Sequence, residues 1–160
     1  MPLIKRVFVA ASVAWAAALP SAALVAGPFQ APGPSVLSLL ALATYAVGSL
    51  VCHQRPDRSF QLFAVQMPVC ARCVGIYAGA AGAAVALAFR GFGSLGIVRT
   101  PARGAIPFGR MRTVLLASAL PMAATMGYEL VTGDAPGNWV RAVSGLPVGA
   151  SVAWVVCSLM

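Results

Sequence analysis

Met67-Pro68-Val69-Cys70-Ala71-Arg72-Cys73-Val74-Gly75-Ile76-Tyr77-Ala78-Gly79-Ala80-Ala81-Gly82-Ala83-Ala84-Val85-Ala86-Leu87-Ala88-Phe89 carries a single charge, Arg72, and no other before Arg90. Its apolar residues run without the period-two alternation of a barrel strand, and it approaches the ~20 residues that a helix needs to cross a bilayer's hydrocarbon core. Pro68 suits a helix's first turn, where its missing N–H would have no intrahelical partner. A membrane helix over about 70–89 is predicted, with Cys70 and Cys73 three apart on one face at its mouth.

Four further apolar stretches lie around it, at about 7–27, 35–51, 113–131 and 142–160. Only 9% of the 160 residues are charged and 60% are hydrophobic, against roughly 25% and 45–50% in a soluble domain. Mean hydropathy is +0.88. The expected fold is all-α, a polytopic transmembrane bundle of about five helices forming one integral membrane domain over residues 1–160. The first stretch follows Lys5-Arg6 and ends in small residues around Ser21-Ala22-Ala23, as a signal peptide would. Its apolar part exceeds the 7–15 residues of a signal core, so an uncleaved helix is the favoured reading.

The net charge of +8 comes from arginines set between apolar spans, where they orient helices and meet anionic lipid headgroups. No basic stripe interleaved with aromatics points to nucleic acid. With five crossings, Lys5, Arg6, Arg55, Arg58, Arg72 and Arg141 share one side, and Arg90, Arg99, Arg103, Arg110 and Arg112 the other. The split is nearly even, and the pair before the first helix tips the expectation to a cytoplasmic N-terminus with the cysteines on that side. Gly75 and Gly79 form a GxxxG, suited to packing within the chain or against a second copy or a membrane partner.

Chemistry-bearing side chains concentrate in one window. Cys52 and His53 close the second stretch, and Cys70 and Cys73 open the third after a connection through Arg55, Asp57 and Arg58. Thiolates and imidazole are zinc's preferred ligands. Cys52, His53, Cys70 and Cys73 are therefore the candidate ligands of a metal ion, zinc first, with copper or iron as alternatives. A C-x-x-C at a helix start also serves disulfide exchange, which keeps open an oxidoreductase using Cys70 and Cys73, with Cys52 resolving. A non-catalytic accessory or transporter subunit is the third reading. Arg58, Arg72, Arg141, Asn138 and Glu129 are the residues expected to surround the ligands or bind an anion, and Cys157 reads as packing. No Walker, HExxH, serine-hydrolase or dinucleotide motif is present.

Cys52-His53-Gln54, Arg58-Ser59-Phe60 and Pro68-Val69-Cys70-Ala71-Arg72-Cys73-Val74-Gly75-Ile76-Tyr77-Ala78-Gly79 resemble the signature of a prokaryotic family of small multi-pass membrane proteins catalogued as a domain of unknown function. Asn138, Arg141, Gly145 and Gly149 are similar to that family's second signature, and the resemblance extends over about 35–160. The family's acid falls about one turn before Glu129, where this chain has Thr125 and Met126. The resemblance implies a helical protein of the prokaryotic inner membrane with a Cys/His-centred site, and it implies no reaction.

Overall fold

The computed structural model describes residues 3–27, 35–90 and 107–160. The Pro28–Pro34 part of the first turn and the loop bearing Arg99 and Arg103 lie outside them. Five α-helices are formed: α1 (Leu3–Ala26), α2 (Val36–Val51), α3 (Ala71–Arg90), α4 (Phe108–Thr132) and α5 (Asn138–Leu159). Between α2 and α3 lie a 3-10 turn, Pro56–Arg58, and a minimal antiparallel hairpin in which β1 (Gln61–Leu62) pairs with β2 (Val65–Gln66). Phe63 and Ala64, at its tip, both have positive φ, 51° and 64°, as a two-residue turn matched to the strands' twist requires. α1, α3, α4 and α5 are long and apolar enough to cross a membrane. Large apolar side chains such as Leu116, Leu120, Leu130 and Val152 stand exposed along them, as lipid-facing residues would.

The third, fourth and fifth helices form the framework. α3 and α5 run parallel with backbones in contact: a Cβ on Gly75 would collide with the Ala142 carbonyl, and one on Gly79 with that of Leu146. The contact is reciprocal, since Gly145 faces the Arg72 carbonyl and Gly149 that of Ile76. Hydrocarbon tails are as apolar as any side chain, so close van der Waals approach is what drives such pairing in lipid. The Gly75/Gly79 face, expected to suit either packing within the chain or a partner, is thus filled by α5 of the same chain. α4 returns antiparallel to α5, and the register is marked by polar rungs. Ser118 meets Ser151 at 2.7 Å, Thr125 meets Ser144 at 3.4 Å, and Glu129 accepts from Arg141 at 3.2 Å.

α1 lies antiparallel to α3. Trp15 packs edge-on against Tyr77 with centroids 5.9 Å apart. Four residues on, Leu19 joins Ala23, Met67 and Val69 in a buried cluster just before α3 begins, and Gly27 approaches Val65 of the hairpin. The C-terminus of α1 therefore stands at the mouth of α3, and Lys5-Arg6 at the opposite end.

The second apolar stretch differs from the expectation. α2 has 16 residues, about 24 Å at 1.5 Å per residue, against a hydrocarbon core of about 30 Å. Its Leu37, Leu40, Ala41 and Thr44 line a cleft with Ala18, Ala22 and Val25 of α1's C-terminal half, and its last turn lands beside Pro68 and Cys70. Gly27, before it, and Cys52, after it, both stand at the mouth of α3. Hydropathy reads apolarity, and it could not distinguish this shorter helix from a crossing one. The side assignments change accordingly: Lys5 and Arg6 are not on the side of the cysteines.

Gly149→Val should lower stability by at least about 1–3 kcal/mol through overpacking. Gly82→Val, where an added Cβ meets nothing within 4 Å, should leave it within about 0.5 kcal/mol. Unfolding of the two variants in mixed detergent, compared with wild type, checks both.

Candidate metal and anion site

Four helix ends converge on the site: the C-termini of α2 and α4 and the N-termini of α3 and α5. Cys52 caps α2, its N–H bonded to the Gly48 carbonyl at 2.9 Å. Cys70 immediately precedes α3, and its carbonyl accepts the helix's first bond from Val74 at 3.0 Å. Its own N–H donates to the Cys52 sulfur at 3.1 Å. Cys73, three residues on, brings its thiol to 3.6 Å from that of Cys70. The three Sγ atoms lie within 4.8 Å of one another and all three cysteines are free.

His53 points elsewhere. It is exposed and lines the cavity beside the thiols, but the mutually close donors are the three cysteines without it. Being next in sequence to Cys52 at a helix end, it leaves on a different heading. Cys157 is buried near the far end of α5, apart from the cluster.

Backbone-directed amides hold the thiols in place. The Gln54 side chain donates to the Tyr45 carbonyl at 3.0 Å and the Pro68 carbonyl at 2.7 Å, tying the exit of α2 to the entry of α3. Gln54 itself has φ of 47°, the left-handed conformation that reverses the chain there. The Gln66 amide donates to the Gln54 carbonyl, and the Tyr45 hydroxyl to that of Gln66. Ser59, 1% exposed, donates to Arg55 at 2.8 Å, and Asn138 donates to the Ser59 carbonyl at 3.0 Å. Asn138 was expected beside the ligands; it instead anchors the connecting loop to α5. Sequence reasoning did not assign roles to Gln54 and Ser59, although both lie inside the quoted signature. Gln66 lies outside the signature and carried no signal.

The five residues expected around the cysteines do not all share one role, but four of them meet. Glu129 receives three guanidinium groups: Arg58 at 2.6 Å, Arg72 at 2.9 Å and Arg141 at 3.2 Å. Arg141 is 1% exposed, and its Nε and Nη1, with the Nε of Arg72, have no hydrogen-bond partner among the described residues. Asp57 lies on the rim, 3.4 Å from both Arg55 and Arg58, and well exposed. Thiols and arginines together line one cavity of about 380 Å³, formed by Cys52, His53, Cys70 and Cys73 with Arg55, Arg58, Arg72 and Arg141.

The Cys70 thiol is held well below the ordinary thiol range, at about 5. The chief cause is the hydrogen bond from Cys73; the neighbouring backbone N–H groups and Cys52 add to it against the opposing effect of burial. A thiol at about 8.5 is mostly protonated at neutral pH, whereas Cys70 is a thiolate there, the form that attacks electrophiles and binds metals. Tetrahedral geometry places two sulfurs about 2.3 Å from one zinc some 3.8 Å from each other, close to the Cys70–Cys73 spacing. A disulfide would need about 2.05 Å. The arrangement offers three sulfur donors, all from residues that line the cavity.

Residues 52–155 match the family described as "Predicted membrane protein (DUF2085)". An uncharacterized protein of Methanocaldococcus jannaschii is 58% identical over 40 residues, 25% of this chain and 26% of its own length. An uncharacterized protein of Methanothermobacter thermautotrophicus is 50% identical over 30 residues, 19% of this chain and 27% of its own length. The aligned stretch is thus about a quarter of each relative. No solved structure matches.

Because Cys70 is depressed, its maleimide labelling in metal-free protein should stay fast from pH 8 down to about 6 and fall only as pH drops through about 5. Cys73→Ala removes the main cause, so the midpoint should move up towards about 8.5. Stopped labelling followed by peptide mapping measures it.

Proposed function

The chain belongs to this family of membrane proteins, and on that footing we propose that it is a metal-binding integral membrane protein whose ion, zinc in the first instance, is held by Cys52, Cys70 and Cys73. The observation that carries the reading is the convergence of three free thiols within 4.8 Å, spaced for a common ion. The fourth position falls to water, to an incoming ligand, or to His53 after a change of rotamer. An open fourth position is the arrangement of zinc sites that do chemistry or exchange ligands, whereas four protein ligands make a closed, structural one.

Protein purified in detergent without chelator should carry about one metal ion per chain, lost in Cys70→Ser/Cys73→Ser and retained in Cys157→Ser. Metal content by plasma mass spectrometry, with free thiols counted in parallel, decides it. The second reading, a thiol oxidoreductase, draws support from the 3.6 Å Cys70–Cys73 pair at a helix mouth. It requires the two thiols to give up two protons and two electrons to an acceptor, becoming a disulfide. Metal-free protein with a reversibly reducible Cys70–Cys73 disulfide would favour that reading and sink the first.

We propose that the site lies on the outer face of the cell membrane, opposite to the sequence expectation, a reading that the distribution of positive residues supports. Among the described residues the end of the bundle away from the site holds Lys5, Arg6, Arg90, Arg110 and Arg112, and the sequence that links Arg90 to Arg110 adds Arg99 and Arg103. The site's end holds four, Arg55, Arg58, Arg72 and Arg141, three of them engaged with Glu129. Positive residues favour the cytoplasmic side. A membrane-impermeant maleimide added to intact cells should label the half-buried thiols of the site in a Cys157→Ser background. Labelling only after the cells are broken would reverse the assignment.

A further inference from the structure

We propose that the arginine-lined cavity binds a phosphate-class oxyanion, either a lipid headgroup phosphate or free inorganic phosphate, beside the thiols. This rests on the arginines and stands whether or not an ion occupies the cysteines. Four guanidinium groups line the cavity, and the carboxylates that touch them are two, Glu129 and Asp57. The surplus of two positive charges is offset by one unit if Cys70 is a thiolate, or if three thiolates hold a divalent ion, and it stays positive in both cases.

Burial makes that surplus informative. An exposed arginine needs no partner beyond water, but Arg141 is 1% exposed with two nitrogens unpaired, and it borders the cavity. A buried guanidinium donor without an acceptor costs more than a neutral one, so an acceptor arriving in the cavity would be strongly favoured. Guanidinium groups match carboxylate and phosphate alike through paired N–H donors. Here Glu129 already supplies a carboxylate's two oxygens and leaves donors over. A phosphate brings more acceptor oxygens and one to two negative charges, opposite in sign to the surplus. At about 380 Å³ the space is an order of magnitude above the ~30 Å³ share of one water, and its rim, at exposed His53 and Arg55, gives a phosphate its way in.

The test uses the full chain in a non-phosphorylated detergent, with total phosphorus measured before and after delipidation and radiolabelled orthophosphate added by equilibrium dialysis at constant ionic strength. Retained lipid phosphorus near one per chain identifies a headgroup. Orthophosphate binding to protein that carries no lipid phosphorus identifies the free ion. Either supports the proposal if Arg141→Gln weakens binding by roughly tenfold or more, the effect of losing one charge-assisted hydrogen bond, with Arg141→Lys recovering part of it. Wild-type protein gives a readout that needs no variant: orthophosphate, and not chloride at equal ionic strength, should slow maleimide labelling of Cys52, Cys70 and Cys73. Absence of both phosphorus binding and labelling protection in wild type would overturn the proposal, as would undiminished binding in Arg141→Gln.

Discussion

One carboxylate gathers the site. Glu129, near the end of α4, draws Arg72 from the first turn of α3, Arg141 from the first turn of α5 and Arg58 from the connecting loop. Without that acid, three guanidinium groups would stand close together at the membrane edge, where charges are costly to desolvate and like charges repel. With it, the ends of three helices and a loop are fixed relative to one another, and Arg72 lies in the chain between Cys70 and Cys73. The cavity's chemistry is therefore assembled by attraction to a single point, while the fit of the helices below it is set by glycines.

The signature residues divide into three physical roles. Cys52, Cys70 and Cys73 bring sulfur together. Gln54, Ser59 and Asn138 satisfy carbonyls at Tyr45 within α2 and, outside regular structure, at Pro68, Arg55 and Ser59 itself. Such groups, buried without a partner, would cost as much as a lost hydrogen bond. Gly75, Gly79, Gly145 and Gly149 remove the side chains that would hold α3 and α5 apart. A motif that looks like a ligand set in one dimension is, in three, mostly the scaffold that presents a smaller ligand set.

Much of this could be read from the residues, for identifiable reasons. Apolar runs without alternation disclose membrane helices because the bilayer admits little else, and the 3.6-residue period puts Cys70 and Cys73 on one face without further information. Cys52 could be matched with them because the loop returns the chain to the same edge. The extended backbone at Cys52, φ −146° and ψ 139°, turns successive side chains to opposite sides, and no composition or spacing reports it. The shortness of α2 was equally hidden: most of its large apolar side chains stand exposed as they do on the longer helices, and hydropathy reads both alike. Glu129 was legible as an isolated acid in an apolar stretch; that it serves three arginines at once depends on the α4–α5 register, which the sequence does not display.

The backbone contact between α3 and α5 divides the molecule mechanically. Where glycine lies against carbonyl there is no side chain to change rotamer and take up a displacement, so those two helices move as one stiff body carrying Cys70, Arg72, Cys73 and Arg141. Cys52, His53 and Arg55 belong to the other part, α2 and its exit, which is joined to the rest by a few side-chain hydrogen bonds and by packing on α1. The cavity lies along the seam between a rigid wall and a compliant one. Whatever bridges sulfur across that seam is a strut between the two, and its arrival or departure changes how far the compliant wall can swing.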